Sequence, residues 1–280
     1  MQVAVVGHVE WIEFVRVAHV PARGEIVHAH EVWAEAAGGG AVAAVQLARL
    51  AGGCTLFTAV GDDDLGRAIA PALAGLGVRV HAAVRSETQR RGFTYIDAGG
   101  ERTITVIGKR LGPAREDGLP WEELAAADAV YFVSGDAPAV LAAREAKVLV
   151  ATARSLPALE ASHVLLDALV RSGSDEGERY RPGDLDPRPH LEVATAGDQG
   201  GTYVLAGGEP RRYDAVPVPG TPSDSYGAGD SFAAGLTYGL GSGETVPEAL
   251  ALGARLGAAA LARAGAHGPH AGGRHGQRAS

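Results

Sequence analysis

The chain has 280 residues, of which 46% are hydrophobic and 21% charged, and its net charge is −8 at pH 7. This is the balance of a folded protein with one large core or two small ones, and it excludes a disordered chain. No dense Lys/Arg run provides a footprint for nucleic acid, no stretch nears the roughly 20 apolar residues of a membrane helix, and the single cysteine excludes a disulfide framework.

The opening Met1-Gln2-Val3-Ala4-Val5-Val6-Gly7 predicts a strand over 2–6. It lacks the basic head of a signal peptide, so a soluble, cytoplasmic protein is expected. Residues 9–33, rich in Val, Glu and His, form no helical pattern, and a helix follows over 40–51. A strand over 54–60 carries Cys54, expected to be a buried small hydrophobe. A helix over 64–76 and a strand over 78–84 come next. The runs 91–97 and 102–107 flank Ala98-Gly99-Gly100-Glu101 and read as a β-hairpin. With 9–33 this hairpin breaks the βα rhythm, and both are expected in a small accessory sheet forming a lid; an edge extension of the main sheet is the alternative. Further strands are predicted over 128–133, 147–151, 164–170 and 191–196, with helices over 137–146, 228–240 and 246–264. The polar segment 172–190 reads as a surface loop. The tail 266–280, with three His and four Gly, reads as disordered, its histidines solvated. Near-continuous apolar strands alternating with helices predict an α/β fold: a mostly parallel sheet covered on both faces.

The most informative stretch is Asp224-Ser225-Tyr226-Gly227-Ala228-Gly229-Asp230-Ser231-Phe232. Two glycines in a polar turn let a ligand approach the backbone. The first N–H groups of the helix that follows lack internal partners and sit at the positive end of its dipole. Gly227, Ala228 and Gly229 therefore predict an anion hole, with the Asp230 carboxylate beside it. A capping role is the plain alternative for Asp230. A dinucleotide-binding turn would need a third glycine where Phe232 stands, and no Gly-Lys-Ser/Thr of a P-loop occurs.

Residues 224–236 resemble the C-terminal signature of the PfkB (ribokinase-like) carbohydrate kinase family, Asp-Thr-x-Gly-Ala-Gly-Asp-x-Phe. Other family features follow in the same order along about 265 residues. Gly7, Pro21 and Gly24-Glu25 resemble its start, and Ala37-Gly38-Gly39-Gly40-Ala41 its N-terminal glycine signature. Gly99-Gly100-Glu101-Arg102-Thr103 resembles its lid hairpin. Thr195-Ala196-Gly197-Asp198-Gln199-Gly200 resembles the turn beside the nucleotide phosphates. The resemblance implies a ribokinase-like fold with a small β-sheet lid, one kinase domain over 1–265. It implies Asp230 as the base that takes the acceptor hydroxyl's proton, and Gly227–Gly229 as the hole for the transferred phosphoryl group. Thr195, Gly197 and Gly200 would lie against ATP, and Gly38 and Gly39 beside the acceptor. Mg²⁺ would neutralise the phosphates. Asp224 would help hold a monovalent cation such as K⁺, or else only initiate the turn. A homodimer through the lid is also implied.

The acceptor end departs from the family. Ile12 and Val42 stand where relatives carry hydroxyl-binding Asp and Asn. Glu10, on the same strand face as Ile12, is the candidate substitute, with a solvated surface role as its alternative. Asp136 at a strand end is either a substrate contact or a helix N-cap. The Asn-x-x-Glu motif near the metal is altered to Ser172-Gly173-Ser174-Asp175-Glu176, where Asp175 or Glu176 would serve the Mg²⁺ water shell unless both are loop charges. Arg102, Lys109 and Arg110 offer a grip on a phosphorylated substrate, or are solvated edge cations. The expected function is ATP-dependent phosphorylation of a hydroxyl on a small sugar or nucleoside. The lost Asp and Asn motivate an alternative, a ligand-binding or regulatory protein on a kinase scaffold.

Overall fold

In a computed structural model that describes residues 1–268, strand β1 (Val3–Val6) lies at the centre of the main sheet. Alternate residues point to opposite faces of a strand. Val3 and Val5 accordingly enter one core cluster, Ala4 and Val6 the other. A continuous apolar run is what a strand covered on both faces requires. β2 (Glu10–Arg16) and β3 (Glu31–Ala37) then leave this sheet and pair antiparallel with each other. Helix α1 (Gly39–Ala51), β4 (Cys54–Gly61), helix α2 (Asp64–Ala74) and β5 (Val78–Arg85) return the chain to it. β6 (Arg91–Ile96) and β7 (Arg102–Ile107) form the expected hairpin. β6 adds parallel to β2, which gives a separate four-stranded sheet of order β3-β2-β6-β7.

The second half runs β8 (Ala129–Phe132), helix α3 (Ala137–Arg144), β9 (Val148–Thr152), helix α4 (Leu156–Ser162), β10 (Ala168–Ser172) and β11 (Leu191–Thr195). β12 (Gly201–Leu205), β13 (Arg211–Tyr213), helix α5 (Ala228–Gly241) and helix α6 (Val246–Leu261) complete it. The main sheet has the order β13-β12-β11-β10-β9-β8-β1-β4-β5 and is parallel from β11 to β5, with β12 and β13 antiparallel at one edge. α1 and α5 pack on one face, where Val5, Leu56, Phe232 and Leu236 are buried. α3 and α4 cover the other over Phe57, Phe132 and Leu149. Each such side chain contributes about 1.5–3 kcal/mol of burial free energy. Among the described residues no helix is long and apolar enough to cross a membrane.

Several local expectations need correction. The strand expected over 164–170 begins at Ala168; Val164 and Leu166 are buried from a loop, so their apolar character served the core rather than a ladder. α4, β12 and β13 were not predicted; β12 and β13 carry no continuous apolar run, their burial patterns being broken by exposed residues. The expected tail starts too early: Ala266 and His267 are buried, and the imidazole Nε2 lies 2.7 Å from the Ala36 carbonyl. The expected disorder and the other two tail histidines, His270 and His275, fall outside the described residues. Cys54 is buried as expected, and burial drives its thiol pKa far up.

Candidate active site

The chain leaves β1 towards β4 on one side and receives β8 on the other. Such a reversal of strand order opens a crevice at the carboxyl ends of the strands. Gly7 closes β1 there. A Cβ on it would come within 2.9 Å of Val133 Cβ, so the backbones meet only because the residue is glycine.

Two helices begin over this crevice. α5 starts after Gly227, whose φ of +72° is left-handed and which caps without a side chain. A Cβ at Gly227 would lie 2.8 Å from Val42 Cγ1. Val42, fully buried, is thus the packing partner of the turn rather than an acceptor contact. The helical ladder opens with the Ser231 N–H donating to the Gly227 carbonyl at 2.8 Å, which leaves the 228–230 amides ahead of it. Gly229 is exposed, and a Cβ there would meet nothing within 4 Å. The predicted anion hole therefore faces open space.

α1 starts opposite. A Cβ on Gly39 would stand 2.9 Å from Asp230 Oδ1, so the glycine signature and the Asp230 motif, far apart in sequence, meet at one carboxylate. Gly38 N–H donates to Tyr226 Oη at 3.0 Å, and its left-handed φ of +85° sets the entry to α1. Asp230 is half-buried. Burial pushes its carboxyl pKa up to about 6; Glu178 and Glu10 push the same way, while Arg102 and Arg154 pull against them. A carboxylate tuned towards neutrality next to an anion hole suits a general base.

Glu178 was not predicted. Its Oε2 accepts the Ser172 N–H at 2.5 Å, and its Oε1 lies 2.9 Å from Arg154 Nη2. Asp175 holds the same guanidinium and also caps the short 3₁₀ turn Glu176–Glu178. Asp175-Glu176-Gly177-Glu178 thus places two acids, Asp175 and Glu178, on one guanidinium. Glu176 pairs instead with Arg179. Arg154, exposed but clasped by two acids, could not have been read from its neighbours in sequence.

The remaining predicted residues divide. Thr195, Gly197 and Gly200 form the turn that leaves β11, beside Gly173, whose N–H donates to the Thr195 carbonyl at 2.8 Å. Gly197 is open to solvent. A Cβ on Gly200 would lie 2.2 Å from the Tyr213 carbonyl oxygen. Glu10 is buried against Gly38 but is taken by Arg90, Nε to Oε1 2.6 Å. His8, 3.7 Å from Glu10, is held neutral: burial first, then Arg110, Arg90 and Arg154, lower its pKa to about 3. Asp136 is the N-cap of α3, accepting from Ala139 N–H at 2.9 Å and Arg115 N–H at 3.1 Å, so its oxygens are committed to the backbone. Asp224 is buried with Oδ1 accepting from Tyr226 N–H (2.9 Å) and Oδ2 from Gly265 N–H (2.7 Å), which is a structural role in the turn.

The second sheet reaches this turn. Arg102 of β7 donates to the Ser225 carbonyl at 3.0 Å and lies over the Tyr226 ring. At the hairpin tip, a Cβ on Gly100 would sit 3.0 Å from the Ser223 carbonyl oxygen.

A parallel sheet with a crevice at its strand reversal, a small sheet leaning over it, and a glycine turn carrying an aspartate define a ribokinase-type α/β protein. The chain belongs to the pfkB family of carbohydrate kinases, whose family model matches residues 1–171 and 190–271. The unmatched interval contains the loop of Asp175 and Glu178. The chain is 43% identical to the acarbose 7(IV)-phosphotransferase of an Actinoplanes strain over 72 residues, 25% of this chain and 24% of that protein. Among solved structures, ribokinase from Thermotoga maritima matches with a TM-score of 0.74 at 21% identity, covering 95% of each chain. Ribokinase from Arabidopsis thaliana, complexed with ribose and ATP, matches with a TM-score of 0.71 at 20% identity, covering 93% of this chain and 92% of that one.

Proposed function

We propose that this chain transfers the γ-phosphoryl group of ATP to a hydroxyl of a small sugar or nucleoside. The observation that carries the reading is Asp230: raised to about 6, it stands in the first turn of α5 with the open amides beside it and Gly39 in contact with it. The acceptor hydroxyl gives its proton to the Asp230 carboxylate as its oxygen bonds to the γ-phosphorus. The bond from that phosphorus to the β–γ bridging oxygen breaks, and ADP leaves with the electron pair. A base of this kind contributes about 10² to 10⁴-fold. The 227–229 amides would meet the charge on the transferred group.

ATP as donor is supported by family membership and by the ATP held in the Arabidopsis ribokinase. The open turn at Gly197 and the open amides at Gly229 suit a polyphosphate, since neither leaves a side chain in its way. Mg²⁺, when bound on the phosphates, would neutralise their charge. Asp175 or Glu178 would serve its water shell, both of them also holding Arg154. The local partial relative supports a sugar acceptor. The acceptor side is lined with fewer hydroxyl-binding groups than the resemblance leads one to expect, because Ile12 and Val42 are apolar and Glu10 is paired with Arg90. Lid pairing into a homodimer would use β7, the edge of the second sheet, all six of whose residues are exposed; sedimentation tests it.

The function is tested by ADP formation with MgATP across sugars, sugar acids and nucleosides. Turnover with one acceptor class, lost in Asp230→Asn, is the expected result. Near-normal turnover in that variant would overturn the base assignment.

A further inference from the structure

The family resemblance implies a monovalent cation beside the anion hole, with Asp224 as a ligand, and the residues present do not fit one. Both Asp224 oxygens already accept backbone N–H groups, from Tyr226 and Gly265, and the side chain is buried. Three guanidiniums from three separate elements donate into the single segment 223–231. Arg16 of β2 reaches Ser223 Oγ at 3.3 Å, Arg102 of β7 the Ser225 carbonyl at 3.0 Å, and Arg263, just past α6, Ser231 Oγ at 3.3 Å. Ser231 is fully buried and directly follows Asp230.

Arg16 and Arg102 have further work. The first pairs with Glu31 at 3.5 Å and the second covers Tyr226. Among the described residues Arg263 forms no ion pair, and its stem packs on Gly268, where a Cβ would lie 3.2 Å from Arg263 Cδ. Burial raises the Asp224 pKa while Arg16 and Arg102 favour its ionised form, and burial and Arg49 lower the Arg263 pKa while Asp224 favours its charge, so these groups share one electrostatic neighbourhood. A free alkali ion placed there would gain one carboxylate and face three like charges, each repelling it.

We infer that Arg263, with Arg16 and Arg102, supplies the positive charge that the fold otherwise takes from a monovalent cation, so that nucleotide binding and turnover in this protein do not depend on K⁺. The inference rests on the kinase reading for its turnover part only. ADP affinity, read by calorimetry, tests it without turnover. In about 100 mM KCl or tetramethylammonium chloride at equal ionic strength, the wild-type affinities and melting temperatures should agree within a factor of two and within measurement error, respectively. Arg263→Met should weaken ADP binding by about tenfold, whereas Arg263→Lys, which keeps the charge, should weaken it less. An ADP affinity or turnover that rises severalfold with K⁺ but not with tetramethylammonium would overturn the inference. So would an Arg263→Met variant with unchanged affinity. If that variant fails to fold, the wild-type salt comparison decides alone. Absence of product with every acceptor would count against the kinase reading, while the ADP measurements would still decide this one.

Discussion

Asp230→Asn removes a carboxylate whose ionisation the fold resists, and the consequence can be read without knowing the acceptor. The Asp230 pKa rises from an ordinary 3.8 to about 6, mainly because burial strips water from the charged form and Glu178 repels it. The folded state thus binds this proton more tightly than the unfolded state does. The favourable contribution is fully present below the unfolded pKa and is lost as pH rises through about 6. Holding the group ionised at higher pH costs at most about 3 kcal/mol. Part of the side chain still meets solvent, so we expect about 1–3 kcal/mol. Asparagine has the same shape and no charge. At about pH 8 the variant should therefore melt higher than wild type by about 2–8 °C, and the gap should narrow below about pH 6 and close only near about pH 4. Thermal unfolding of both proteins across that range is the assay. A gap that is absent at high pH, or that stays constant with pH, would refute the electrostatic account of this site.

Gly39→Ala puts a Cβ within 2.9 Å of Asp230 Oδ1, and the carboxylate must move. We expect kcat to fall by about 10 to 10²-fold with nucleotide affinity nearly unchanged, as misplacement of a catalytic group predicts; steady-state kinetics and ADP calorimetry separate the two. Arg154→Met takes a cation away from Asp175 and Glu178 and from the field at Asp230, which it holds down. The acid limb of the rate profile should move to higher pH, with a stability loss of about 1–2 kcal/mol for the partly exposed cluster; an unmoved limb would show that Arg154 does not act on the base. The two turn glycines should separate in thermal unfolding. Gly200→Ala meets the Tyr213 carbonyl at 2.2 Å and should cost more than about 3 kcal/mol, whereas Gly197→Ala meets nothing within 4 Å and should cost only its left-handed strain of about 1–2 kcal/mol.

Much of the fold was legible because its strands are buried on both faces. Val3 to Val6 and Ala129 to Phe132 read as apolar runs since each face meets helices. The hairpin of β6 and β7 was legible from its Gly-Gly turn. The strand Gly201–Leu205 was not, because only Gly201 and Tyr203 of it are buried and no apolar run marks it. The motif around Asp230 was legible because backbone chemistry and helix start coincide in one stretch. What joins that motif to the rest of the site lies beyond local reading. Asp224 meets Gly265, and Glu35 accepts the Ala266 N–H across 231 residues of chain. Asp136 and Glu10 show the limit of assigning carboxylates from position alone: the backbone takes one and Arg90 the other.

The most direct test of the central claim is ADP formation from MgATP with a panel of sugars, sugar acids, phosphosugars and nucleosides, followed over pH for wild type and Asp230→Asn. The account predicts turnover with one acceptor class, lost as pH falls through about 6 because the base must be ionised, and reduced at least about 10²-fold in the variant. Turnover that survives the substitution, or that keeps its rate well below that pH, would contradict it.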